Sequence, residues 1–175
     1  MYGKYAIVAI GCVPVPKYGA IPLEFSALEV DEAGKTTLWH ETIRAPVPLA
    51  QLDEFQRWYL NRLTGKLGMV YSDDSSLRSF GDCIKSFAKI LKKEQIRIVL
   101  IKGDAQRSML EKGLRVNGID VNLTEMKTIG CPRFKELPMV EAAVCENHMK
   151  SIPKAMKYCT NHRVKQLKLF IDASL

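Results

Sequence analysis

Residues 4–13 (KYAIVAIGCV) form a near-continuous apolar run rich in β-branched residues, the pattern of a strand buried on both faces and therefore central in a sheet. After a turn containing Pro14, Pro16 and Gly19, the segments 22–30 and 36–44 read as two further strands. They are joined by Asp31-Glu32-Ala33-Gly34, where Gly34 supplies any positive φ, so an antiparallel hairpin is expected. Alternation along the first of these strands places Leu23, Phe25 and Ala27 on one face and Pro22, Glu24 and Ser26 on the other. A carboxylate beside apolar neighbours needs a partner unless it faces solvent, and an exposed strand carboxylate is the simplest account of Glu24.

The period then changes. Leu49, Leu52, Phe55, Tyr59 and Leu63 recur at helical steps, predicting a helix over 49–63 with this apolar face turned inward and Gly65 and Gly68 as stops. Ser75 or Ser76 is placed to cap a second helix carrying Leu77, Phe80, Ile84, Phe87 and Leu91, which closes at Lys92-Lys93. A strand at 96–102, a helix capped by Asp104 and running through Leu110 and Leu114, and a short strand at 119–123 give β-α-β alternation with parallel crossovers. The expected fold is α/β, a mixed five-stranded sheet flanked by helices. Past Cys131 the pattern predicts a helix near 138–149 and another starting at Pro153, with no repeat or low-complexity tract.

A length of 175 residues is expected to form one domain over 1–175, and 47% hydrophobic against 26% charged residues is the composition of a chain with a real core. The 26 basic and 19 acidic residues leave a net charge of +7, which favours a polyanionic partner over an acidic small molecule. No apolar stretch approaches the roughly 20 residues of a bilayer span, and the first apolar run is too short and Pro-broken for a signal peptide, so a soluble intracellular protein without membrane contacts is expected. Five cysteines, an odd number in a chain of this size, point to metal binding or plain burial instead of a disulfide framework.

Cys145 and His148 lie three apart on a predicted helix, so both side chains project from one face, and Cys159 and His162 repeat that spacing. Thiolate with imidazole is the donor set tetrahedral zinc prefers. The competing account is that the two cysteines are small buried hydrophobes and both histidines are surface residues. His162 is the less secure ligand, because Arg163, Lys165 and Lys168 beside it belong to a stretch expected to face solvent, and a carboxylate from elsewhere is an alternative fourth ligand. Residues 149–171 contain Lys150, Lys154, Lys157, Arg163, Lys165 and Lys168 and no acid. Such a strip suits phosphate, with Tyr158 available to stack on a base, although an ordinary solvated face has the same composition.

The segment PLEFSALEVDEAGKTTLWHETI resembles the second and third strands of the proofreading-exonuclease (DEDD, RNase H-like) superfamily. In that superfamily the preceding strand carries an Asp-x-Glu pair that holds two catalytic metal ions. Here that strand is AIVAIGCV, without an acid; the second motif falls in KGDAQRSML, with Gln106 at the metal position and Asp104 nearby, and the third falls near Cys145 and His148. Asp104 is better explained as a helix cap.

An RNase H-like domain with lost acids and a Glu, Cys, His, Cys set is similar to the Maelstrom domain family, over nearly the whole chain. The resemblance implies a structural zinc ion on Glu24, Cys145, His148 and Cys159, with His162 still open as the alternative to Glu24. It further implies single-stranded RNA binding, here by Lys150, Lys154, Lys157, Arg163 and Lys165, in a germline small-RNA (piRNA) silencing factor of perinuclear granules and nucleus, with protein partners from that pathway. Some members have an endoribonuclease activity independent of the lost acids; its residues are not assigned. Members usually carry an HMG box before this domain, so an excised domain, monomeric on its own, is expected. Two other readings differ in kind: a zinc-stabilised protein-interaction scaffold with no direct RNA role, and an active exonuclease built on Asp73, Asp74 or Asp104.

Overall fold

The computed structural model describes residues 3–140, 148 and 155–174. Five strands form one sheet in the order β3-β2-β1-β4-β5. They are β1 (Tyr5–Val15), β2 (Gly19–Val30), β3 (Thr36–Thr42), β4 (Ile98–Ile101) and β5 (Asn122–Glu125). The first three pair antiparallel and β4 and β5 add in parallel, so the sheet is mixed as expected and β1 is its central strand.

Alternation along β1 divides the core. Ala6, Val8 and Ile10, with Phe25 and Ala27 of β2, pack against α2 (Phe80–Lys93) and α3 (Asp104–Val116) through Ile84, Phe87, Leu91, Leu110 and Leu114. Tyr5, Ile7 and Ala9, with Leu28 and Val30, face the C-terminal helix, α4 (Thr160–Ser174), through Val164, Leu167 and Ile171. Glu24 and Ser26 therefore point to the α4 side, opposite Phe25 and Ala27, as the alternation predicts. A third cluster, including Val13, Ile21, Leu23, Leu60 and Met69, seats α1 (Glu54–Leu67) on the far end of the β1–β2 hairpin.

Several boundaries differ from expectation for local reasons. Helix α1 starts at Glu54 instead of Leu49, because Asp53 and Gln56 form a capping box: Gln56 N–H donates to the Asp53 carboxylate at 2.7 Å and Asp53 N–H to Gln56 Oε1 at 2.9 Å. Its inward face also differs, for Gln56 and Leu60 are buried while Phe55 is 60% exposed. Gln56 tolerates burial because its amide also donates to the Pro16 carbonyl at 2.8 Å.

Helix α2 is capped by Ser79, not Ser75 or Ser76. Gly103, at φ 112°, is the N-cap of α3, and Asp104 is its exposed first residue, so Asp104 is not the cap; the Gly103 N–H donates to Glu125 Oε1 at 2.9 Å. Strand β4 begins at Ile98 because the Ile96 N–H closes α2 on Leu91, and β5 is displaced toward Glu125 to match that short partner.

Residues 138–140 are not helical. The Val140 N–H donates to His162 Nε2 at 3.0 Å, and the Pro138 carbonyl accepts from Gln166 at 3.0 Å, so side chains of α4 occupy this backbone. The rest of the helix predicted over 138–149 lies outside the described residues, apart from helical His148, as does Pro153.

Candidate metal centre

Glu24 sits in β2 directly opposite Gly11 of β1, one residue from a bulge in their pairing at Gly11/Cys12. A side chain at Gly11 would run into the Met69 methyl and approach Glu24 Cβ at 3.1 Å and Thr160 Cγ2 at 3.3 Å. The missing Cβ lets the segment after α1 and the start of α4 close over the carboxylate. Cys159 precedes α4 directly, and His148 joins it at the carboxylate.

The three side chains meet: a carboxylate oxygen of Glu24, an imidazole nitrogen of His148 and Cys159 Sγ all lie within 4.8 Å of one another, and all three residues are buried. The His148 Nδ1 to Glu24 Oε1 distance is 3.7 Å. Burial works to lower the His148 pKa, but the hydrogen bond with Cys159, the Glu24 charge and the Leu67 carbonyl at the end of α1 together hold it above its ordinary value. A carboxylate, an imidazole and a thiol converging in a buried space can hold a metal ion.

His40 extends the cluster along β3, where it pairs with Ser26. Its Nε2 lies 3.7 Å from Glu24 Oε1 and its Nδ1 2.9 Å from Ser26 Oγ. Ser26 donates its proton to Asn161 Oδ1 at 2.6 Å and also meets Thr160 Oγ1 at 2.6 Å. Thr160 Oγ1 also stands 3.5 Å from His40 Nδ1, so Ser26, Thr160, Asn161 and His40 form one polar cluster beside the carboxylate. Burial first of all, opposed by Cys159 and reinforced by His148, lowers the His40 pKa and favours a neutral ring.

His162 is not a solvent-facing residue. It is fully buried, its Nε2 is taken by the Val140 N–H, and it stands outside the Glu24, His148 and Cys159 group. Cys145 lies outside the described residues. The other thiols are held in the protonated form: burial pushes Cys12 and Cys83 up to about 12, against Arg163 and Arg78 respectively, and also raises Cys131. Asp73 accepts from the distant Leu49 N–H at the start of the 3-10 turn before α1, and Asp74 is a local turn acceptor for the Ser76 N–H.

No protein-family model and no curated protein sequence matches the chain, but solved structures do. E. coli exonuclease I in complex with a dT13 oligonucleotide aligns at TM-score 0.52 and 10% identity, over 98% of this chain and 40% of that one. The chain has an exonuclease I-like fold. The zinc ion bound form of the E. coli exonuclease I–ssDNA complex aligns at 0.51 and 8% identity, over 98% of this chain and 40% of that one. An exonuclease I/SSB-Ct complex aligns at 0.51 and 9%, over 98% and 42%. The chain thus spans about two fifths of the length of the exonuclease I chains it matches.

On this exonuclease I-like sheet the predicted basic residues separate. Lys157 is exposed on a short 3-10 turn, Ala155–Tyr158, and Lys165 is half-buried on α4, while Lys150 and Lys154 lie outside the described residues. Arg163 has structural work as well: its guanidinium carbon stands 4.6 Å from the Phe134 ring centre and 5.5 Å from that of Tyr158, and its Nε donates to the Lys157 carbonyl at 3.1 Å. These side chains line a groove of about 280 Å³ that also includes Lys135 and Met139.

Sequence reasoning missed His40, Thr160 and Asn161. Period-two alternation from Glu24 to Ser26, continued across the hairpin register to His40, is the signal that finds the first; the other two depend on where α4 docks.

Proposed function

We propose that this chain is a nuclease-derived domain that has replaced two-metal catalysis with a structural zinc site and binds single-stranded RNA. The observation carrying this reading is the burial of Glu24, His148 and Cys159 side by side on an exonuclease I-like sheet whose central strand has no carboxylate. Zinc is held by those three residues and Cys145. Four protein ligands leave no position for an activated water, so the ion acts by tying the start of α4 and the His148 segment to β2.

RNA runs over Lys150, Lys154, Lys157, Arg163 and Lys165. Support comes from the exposure of Lys157, from the basic and aromatic groove around Arg163, from the +7 net charge, and from neighbours of the same fold that were solved with single-stranded DNA. Following the Maelstrom resemblance, the domain belongs to a germline piRNA silencing factor of perinuclear granules and nucleus, acting as a monomer beside protein partners of that pathway. Any RNA cleavage is internal, weak and metal-independent, since strand β1 offers no acid pair.

The test joins metal analysis to RNA binding. Purified protein should carry about one zinc per chain, and Glu24→Gln and Cys159→Ser should each lower metal content and Tm together. Affinity for labelled single-stranded RNA should fall steeply with salt and in Lys157→Ala/Lys165→Ala. Full metal content in both site variants removes the zinc; salt-independent or absent RNA binding removes the RNA and favours the interaction scaffold.

A further inference from the structure

Helix α1 turns aromatic rings outward. Phe55 and Trp58 are 60% and 54% exposed, and Tyr59 is half-buried beside them. The Phe55 ring centre lies 5.9 Å from that of Trp58 with 31° between planes, and 6.3 Å from that of Tyr59 with 27°. Arg62 continues the row, its guanidinium carbon 5.6 Å from the Trp58 ring centre. With Lys66, these residues fall at positions 55, 58, 59, 62 and 66, steps that keep them on one helical face. That face flanks the one formed by buried Gln56 and Leu60.

Folding does not explain the rings. The helix is seated by Leu60 and by Gln56 with its satisfied amide, and polar residues at 55 and 58 would leave that seat unchanged. A contiguous exposed patch of large rings marks a contact surface. Its charge names the occupant: α1 carries Arg57, Arg62 and Lys66 against the single acid Glu54, and Arg62 and Lys66 share the aromatic face, so the rings stand beside cations. A ligand with flat π-faces and a regular negative charge is a single-stranded nucleic acid, whose bases stack on aromatic side chains while cations take the phosphates. The helix also ends, at Leu67, against His148, so the aromatic row leads away from the candidate metal centre.

We infer that the outer face of α1, formed by Phe55, Trp58, Tyr59, Arg62 and Lys66, is a base-stacking platform for single-stranded RNA. It rests on the RNA-binding reading above and adds a second contact surface, one that recognises bases where the C-terminal basic strip meets phosphates.

Labelled oligouridine and an abasic oligonucleotide of the same length test it by anisotropy, with Trp58 emission followed in a Trp39→Phe background. Oligouridine should quench Trp58. Phe55→Ala/Trp58→Ala should weaken oligouridine binding about tenfold, equivalent to about 1.4 kcal/mol, and leave abasic binding within about twofold, while Trp58→Phe keeps most of the affinity. Both replaced side chains are exposed, and an unchanged Tm for the double variant verifies the fold. Wild-type affinity in the double variant overturns the platform and leaves the RNA reading standing. Equal losses for oligouridine and abasic strand overturn stacking in favour of a charge-only surface. Absence of RNA binding by the wild type overturns both.

Discussion

Gly11 is the residue on which the site turns. Glu24 Cβ, Thr160 Cγ2 and the Met69 methyl all converge on the space a side chain would need there. Replacement by alanine gains about 0.4–1 kcal/mol through the unfolded chain, because nothing about the Gly11 backbone demands glycine. Overpacking costs about 1–3 kcal/mol where neighbours cannot yield; Met69 can swing its end, but the other two are short and anchored. The expected net result for Gly11→Ala is a destabilisation of about 1 kcal/mol, read as a lower urea midpoint at unchanged m-value. A midpoint equal to or above wild type would show that α4 has room to shift. The same crowding makes an acid at this position incompatible with the buried cluster, so this face of the strand cannot hold both.

At the scale of elements, α1 is held by its start and its inner edge. Removing the Asp53 side chain deletes one bond of the capping box and leaves the backbone N–H of residue 53 free to donate to Gln56 as before. Asp53→Ala should therefore cost about 1 kcal/mol, within the usual 0.5–2 range for such caps, and thermal melting measures it. The strands were legible because long β-branched runs leave little choice of structure, and Phe25 and Ala27 were correctly set against Glu24 and Ser26. Helix α1 was legible as a helix but not in its facing: an apolar row at 55, 59 and 63 looks like a core stripe, and it takes the capping box with Asp53 together with the distant Pro16 carbonyl to make Gln56 the inward residue. The same limit applies to the site. Spacing marked His148 and Cys159, and Glu24 entered through a family resemblance. His40 needs the β2–β3 register, Asn161 needs the docking of α4, and the burial of His162 runs against the basic residues around it.

Over the whole molecule, α4 is attached in two different ways. Val164, Leu167 and Ile171 bury apolar surface against β1 and β2, while its first turn is tied by Thr160 and Asn161 to Ser26 and, through Cys159, to the candidate metal centre. If zinc occupies that centre, chelation should act on one end only. Hydrogen exchange at residues 159–163 should accelerate strongly after chelator treatment, while amides of β1 and of α4 beyond Val164 keep their protection. Uniform loss along the entire helix would mean that the ion holds all of α4, and no change would mean that it holds none. The sheet and the site also differ in how far apart their parts lie in the chain. The β1–β2 hairpin closes across a short turn, but Ser26 and Thr160 are 134 positions apart. On a ribosome, the hairpin can form early, whereas the buried carboxylate of Glu24 must wait until almost all of these residues have emerged. During that interval the face of β2 that carries Glu24 is open to water, which makes the nascent chain a natural client for a chaperone and the arrival of α4 the step that ends its dependence.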